Sequence, residues 1–324
     1  MPARKITICS AFHSPESKKF LELNNSLTRA LNPGAAFEWL VADNRADRSG
    51  LSLDPNSFGS LEGVPFPVER PKAMRGSYHL ALALNSLKKH VRTRFVLFLD
   101  ADCFIVRPNW MNDIVDYMES RQLAFFGIPW HPRWIKKPRY FPAPHTLFVD
   151  LAKVPLEKLD FMPDLPRPIS KPLTCLTNAS LGSFWFKLWE GRKSIGTSRD
   201  VGAPIVGRYS HHPDLFYETA SAAFAPGDPG YPEVGLGRLL DFVLPDDLSY
   251  MPKVPGYISN RHFKDLSFPD MQGVGAEEFF WYGMPFAFHI RGNKSRIGYE
   301  SLSFEQQYNQ IESAISDFKK LAQV

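Results

Sequence analysis

The stretch FVLFLDADCFIVRP, Phe95–Pro108, is a run of apolar residues broken by two aspartates with one alanine between them. An apolar run of this length, rich in aromatic and β-branched residues, has the pattern of a strand buried on both faces of a parallel sheet. In an extended chain, side chains two residues apart point the same way. Asp100 and Asp102 are therefore expected to offer both carboxylates to one ligand where the strand ends. Two uncompensated carboxylates repel and resist joint ionisation. A divalent cation removes that penalty, and oxygen ligands suit Mg²⁺ or Mn²⁺ carried on a diphosphate.

Upstream, Ile6–Phe12 is a short apolar, β-branched strand, and Ser14 and Pro15 cap and open a helix that Pro33-Gly34 ends. FEWLVADN, from Phe37, is a second strand ending at Asp43, and a stretch rich in Gly, Ser and Pro then reads as loop as far as Pro71. From Gly76, SYHLALALNSLKKH has apolar residues at helical spacing and basic residues in its last turn, as the helix dipole prefers. This alternation predicts an α/β domain with a mostly parallel sheet. Ligands of such sheets bind beyond the carboxyl ends of the strands, where Asp43 and Asp100 both stand.

Downstream, the pattern predicts a helix over Trp110–Arg121, strands in LAFFGIPW and TLFVDLAKV, and a proline-broken loop, WHPRWIKKPRYFPAPH, between them. GDPGYPEVGLGRLLDFVL reads as a loop leading into a helix near Pro232. Phe304, Tyr308, Ile311, Ile315 and Phe318, at three- and four-residue spacing, predict an amphipathic helix that packs onto the domain and closes the chain.

The strand running into D-x-D resembles the signature of nucleotide-sugar-dependent glycosyltransferases of the GT-A fold, and GSYHLALALN resembles the helix that leads into it. FHIRGNKSR, Phe288–Arg296, is similar to the late H-x-x-G setting of metal-dependent members, with His289 and Gly292 at that spacing. Lys294 lies one residue closer to the glycine than in the glycogenin-like pattern. The resemblance implies a single domain over 1–324: a nucleotide-sugar half (1–108), an acceptor half (109–300) and the C-terminal helix (301–324). It implies a metal set of Asp100, Asp102 and His289. Mixed oxygen and imidazole ligation favours Mn²⁺ over Mg²⁺. It also places Asp43 on the base or ribose of the nucleotide, where the local alternative is a turn residue. Asp100, Lys294 and Arg296 are placed on the diphosphate, and Arg75, just before a helix, is placed to meet phosphate or ribose oxygens or else is a solvated charge.

An inverting transferase also needs a carboxylate base for the acceptor hydroxyl. Asp228, Glu233, Asp241, Glu277 and Glu278 are the late carboxylates. Glu233 is preferred, because related enzymes often carry an acid facing the acceptor at such a helix start; its alternative is an acid that satisfies the helix dipole. Glu277 and Glu278 in GAEEFFWYG come next, and a retaining enzyme would use none of these. Trp130 and Trp134 are candidates to stack on sugar faces, or ordinary packing. By resemblance His145 and Thr146 begin a strand facing the sugar, or simply enter it.

The expected activity is thus a metal-dependent, hexosyltransferase-type transfer (EC 2.4) from a nucleoside diphosphate-sugar, UDP-sugar favoured, to a hydroxyl of a saccharide, lipid-linked or protein acceptor. A sugar nucleotidyltransferase is the alternative enzyme, but SAFHSPESKK lacks the Gly-rich loop expected after its first strand. A non-catalytic carbohydrate- or nucleotide-sugar-binding protein is the alternative outside catalysis. A net charge of +4 with scattered basic residues argues against a nucleic-acid partner. Cys9, Cys103 and Cys175 form no C-x-x-C pair and, being odd in number, are expected as free thiols. With no apolar run long enough for a signal peptide or a membrane span, the expected location is the cytoplasm.

Overall fold

The computed structural model describes residues 5–45, 53–62, 75–134, 140–163, 201–231, 254–290 and 302–322. The strands are β1 (Ile6–Phe12), β2 (Phe37–Asp43), β3 (Gly59–Glu62), β4 (Phe95–Leu99), β5 (Cys103–Ile105), β6 (Leu123–Gly127), β7 (Thr146–Asp150), β8 (Phe216–Thr219), β9 (Ser221–Ala223), β10 (Ile258–Ser259), β11 (Ala276–Trp281) and β12 (Met284–Ile290). The α-helices are α1 (Pro15–Leu31), α2 (Arg75–Leu87), α3 (Trp110–Ser120), α4 (Ala203–Tyr209) and α5 (Phe304–Leu321).

Among the described residues a seven-stranded sheet runs β3-β2-β1-β4-β7-β6-β8, and a five-stranded one runs β10-β9-β11-β12-β5. In the first, β3, β2, β1 and β4 are mutually parallel and β7 alone runs antiparallel to its neighbours β4 and β6. This is the α/β layout that the GT-A resemblance implies, a mostly parallel central sheet flanked by helices and closed by the amphipathic α5.

β4 is apolar at every position because both faces of the sheet are covered. Phe95, Leu97 and Leu99 join a core shared with α1, α3, β11, β12 and α5. Val96 and Phe98 join a second core shared with α2 and α4. Helix α1 starts where Ser14 and Ser17 form a reciprocal cap with Pro15 in the first turn, and its buried face carries Phe20, Leu21, Leu27 and Leu31. In α5 the buried stripe is Ile311, Ala314, Ile315 and Phe318, with Phe318 stacked on Phe288 of β12. No described helix is long and apolar enough to cross a membrane.

Two local expectations are corrected. The segment read as loop after Asn44 contains β3, an edge strand added parallel to β2. Its sequence, GSLE, has no apolar alternation, and main-chain pairing with Leu40–Asp43 is what makes it a strand. The two aspartates of the opening stretch also do not lie in extended chain. β4 stops at Leu99, a turn over residues 100–102 closes with Cys103 N–H donating to the Asp100 carbonyl at 3.1 Å, and β5 then enters the second sheet.

β7 fits between β4 and β6 only because Gly127 has no side chain. A Cβ there would lie 1.9 Å from the Thr146 carbonyl oxygen, and main chain cannot swing aside as a side-chain tip can. Gly127→Ala is expected to cost more than about 2 kcal/mol, read as a shifted midpoint in urea; an unchanged midpoint would show that these strands separate freely.

Candidate active site

The carboxyl ends of β1, β2 and β4 share one edge of the central sheet, since the three strands are parallel neighbours. Phe12, Asp43 and the turn after Leu99 therefore lie along that edge, as expected of ligand-binding residues in an open α/β sheet. The two aspartates converge through the turn rather than through strand alternation. Asp100 N–H donates to the His145 carbonyl at 3.1 Å, tying the start of the turn to the entry of β7.

His289, far along the chain, is brought to Asp102 by the second sheet. β12 pairs antiparallel with β5 so that His289 faces Cys103, and Ile290 N–H donates to the Asp102 carbonyl at 3.0 Å. One donor atom from each of Asp100, Asp102 and His289 lies within 4.8 Å of the others, and His289 Nε2 stands 3.4 Å from Asp102 Oδ1. The residues fit a divalent cation. Two carboxylates and one imidazole converge from a turn and a strand held by separate main-chain bonds, and a cation between them would replace carboxylate repulsion with shared attraction. His289 is 4 % exposed and its Nδ1 has no hydrogen-bond partner among the described residues, and its other nitrogen stands at the triad.

Beside the triad lies a cleft of about 250 Å³, walled by Ser77 and Leu80 of α2, Asp100, Trp130, Pro144 and His145. The first turn of α2 opens onto it through Ser77, which brings the positive end of the helix dipole to one wall.

The other expected residues divide. Asp43 closes the edge at β2, where its carboxylate accepts from Arg45 Nε at 2.9 Å, from an Arg45 terminal nitrogen at 2.6 Å and from Arg45 N–H at 3.1 Å. The Arg45 guanidinium lies over the Phe12 ring at 5.2 Å. Arg45 was not singled out from sequence, although an acid and a base two residues apart at a strand end signal such a pair. Arg75 opens α2, but its side chain lies outside the described residues, as do Glu233, Asp241, Gly292, Lys294, Arg296 and Cys175. Cys9 and Cys103 are buried free thiols, and burial pushes the Cys9 thiol pKa far up.

Glu277 and Glu278, adjacent on β11, point to opposite faces. Glu277 is the ladder partner of His289, so its side chain leaves the sheet on the triad's face. It is buried, accepts from Trp134 Nε1 and pairs with Arg133 Nε at 3.3 Å. The loop that carries Trp130 and Trp134 is thereby fastened to β11, helped by His131 Nε2 at 2.7 Å from the Ala223 carbonyl and by Tyr257 donating to the Trp130 carbonyl.

Glu278 faces away. It accepts from the main-chain N–H groups of Phe263 (2.9 Å), Met271 (3.0 Å) and Gln272 (3.2 Å) and meets His262 Nδ1 at 3.0 Å. His262 Nε2 meets Asp228 at 3.0 Å. With a carboxylate on each ring nitrogen, His262 is an imidazolium. Burial alone would lower its pKa, but the bonds and charges of Asp228 and Glu278 outweigh that and push it up to about 9.

No protein-family model and no curated protein matches the chain. Among solved structures, LgtC, a galactosyltransferase held with donor and acceptor sugar analogues, is 13 % identical over 78 % of this chain and 85 % of its own, with a TM-score of 0.34. TarS of S. aureus in complex with UDP-GlcNAc is 14 % identical over 74 % of this chain and 65 % of its own, TM-score 0.32. The mannosyltransferase PcManGT of Pyrobaculum calidifontis with GDP-Man and Mn²⁺ is 12 % identical over 48 % of this chain and 47 % of its own, TM-score 0.33. In a further TarS structure the match spans 30 % of that chain's length.

Proposed function

We propose that the chain is a cation-dependent glycosyltransferase that moves a sugar from a nucleoside diphosphate-sugar, a UDP-sugar by preference, to an acceptor hydroxyl. The observation that carries this reading is the meeting of Asp100, Asp102 and His289 beside a cleft at the carboxyl edge of the central sheet. Glycosyl transfer places negative charge on the departing diphosphate, and three groups that can hold a Mn²⁺ or Mg²⁺ ion stand where that charge would develop.

Asp100, Asp102 and His289 would hold the cation. When bound, it neutralises the diphosphate and eases its departure. The positive end of the α2 dipole favours phosphate oxygens at that wall, with Arg75, Lys294 and Arg296 as basic partners. Asp43, presented by Arg45, meets the base or ribose. The apolar wall made by Leu80, Pro144 and Trp130 displaces water from the reacting centre, which suppresses donor hydrolysis. Trp130 and Trp134 offer indole faces to the acceptor. Glu278 is committed to main-chain donors and His262, and Glu277 to Arg133 and Trp134. Glu233 therefore keeps the role of base if the reaction inverts. The buried free thiols Cys9 and Cys103 fit a reducing compartment such as the cytoplasm.

The test is release of UDP or GDP from a panel of nucleotide-sugars, with a mixture of acceptors, in Mn²⁺ and then in excess chelator. Cation-dependent release is expected. Pyrophosphate made from a nucleoside triphosphate and a sugar phosphate would instead assign a nucleotidyltransferase, and tight donor binding with no consumption would assign a binding protein.

A further inference from the structure

His145 stands between the cleft and the triad, and it touches more of the triad's framework than a wall residue needs to. Its ring stacks on that of His289 with centroids 4.5 Å apart and planes 28° from parallel, and Trp130 meets it edge-on at 4.9 Å. It is 2 % exposed. Its carbonyl accepts from Asp100 N–H at 3.1 Å and from the Thr146 hydroxyl at 2.7 Å. That hydroxyl also meets the thiol of Cys103, the residue after Asp102, at 2.9 Å. One corner of β7 thus contacts the main chain of Asp100, the thiol of the residue after Asp102 and the ring of His289.

We propose that His145 is a positioning residue for the cation site, its ring setting the plane of the His289 imidazole and its carbonyl setting Asp100. The inference rests on the cation reading of the triad. A metal-binding histidine is usually oriented by an acceptor on its second nitrogen. His289 Nδ1 is buried and has no such acceptor among the described residues, where the contact that fixes the plane of the ring is the stacked face of His145. If that face is lost, the His289 ring can turn about its Cβ–Cγ bond, and Nε2 spends less time aimed at Asp102. The main-chain anchor on Asp100 survives any substitution at 145, so the carboxylate part of the site persists and the imidazole part is loosened.

The experiment titrates Mn²⁺ alone into the full chain and into His145→Phe, His145→Leu and His289→Ala, reading free Mn²⁺ by electron paramagnetic resonance. Pulsed measurements on the bound ion read its coupling to imidazole nitrogen. Phenylalanine keeps a flat face and is expected to hold Mn²⁺ within about threefold of the parent, with the nitrogen coupling intact. Leucine removes the flat face and is expected to weaken binding roughly tenfold or more, the range for lost outer-shell support, with the coupling reduced or broadened. Parent-like affinity and coupling in His145→Leu would overturn the inference. Loss of both in His145→Phe, to the level of His289→Ala, would also overturn it, because His145 would then act through a nitrogen rather than a face. If the leucine variant does not fold, His145→Ala, which also removes the flat face, takes its place with the same expected loss and the same overturning result. A parent chain that binds no Mn²⁺ at millimolar concentration overturns the cation reading and this inference with it. A parent that binds while both variants match it overturns this inference alone.

Discussion

Asp102→Ala is expected to lower cation-supported donor turnover roughly 10²–10³-fold while the melting temperature moves by no more than a few degrees. The carboxylate stands at a turn, its side chain 40 % exposed, and its main chain stays bonded to Ile290 whatever the side chain is. Little folding energy is therefore lost. What is lost is one of two anionic ligands. A bound cation contributes several kcal/mol of charge stabilisation to a departing diphosphate, and each 1.36 kcal/mol is tenfold in rate. His289→Ala should fall in the same range. The double variant should lose much less than the product of the two, because residues serving one ion act as a unit. Initial rates of nucleoside diphosphate release against Mn²⁺ concentration read all three effects. Unchanged Mn²⁺ dependence in Asp102→Ala would remove the cation from the triad.

His262→Leu is expected to destabilise the fold by about 3–5 kcal/mol, as happens when one member of a buried ion network is removed and the others stay charged. Asp228 and Glu278 would both be left without their imidazolium. Asp228, whose pKa is held low against the cost of burial by His262, the Ala225 N–H and Gln272, would lose its strongest partner. For a chain of this size that is a fall in melting temperature on the order of 10 °C.

The pH dependence carries a definite sign. The folded pKa of His262 is raised to about 9 from 6.5 in the open chain. Its stabilisation is complete below about pH 6.5, declines as pH rises towards 9 and is absent above. On the acid side, the lowered pKa of Asp228 means that its contribution is present above its unfolded value and fades as pH falls through the folded one. Melting curves of the parent and His262→Leu should lie furthest apart near pH 6 and converge above about pH 9. A separation that does not change across that window would mean that His262 holds the loops as a neutral, packed ring.

Much of the fold was legible because its signals are local. Ser14-Pro15 starts a helix by capping chemistry, and 304–318 declare a helix by their apolar spacing. The unbroken apolar run FVLFL declares a strand covered on both faces. β3 was not legible, because GSLE carries no pattern of its own and owes its strand to the free edge of β2. The turn at Asp100–Asp102 was not legible, because alternation along a strand presumes extended chain at its end, whereas the chain turns there to pass from one sheet to the other.

The sequence by itself determined the alternation of strands and helices, the position of two aspartates at a strand end and the presence of a histidine in a glycine setting far downstream. Those follow from backbone preference, side-chain polarity and spacing, which act over a few residues. The tertiary structure alone decided that the aspartates converge through a turn, that the β5–β12 register delivers His289 to Asp102, and that His145 stacks on His289. It also separated two adjacent glutamates, turning Glu277 to the face that His289 shares and sending Glu278 to clasp His262. The reason is physical: hydrogen-bond register between distant strands is set by what both faces of the sheet must bury, and no short stretch of chain carries that information.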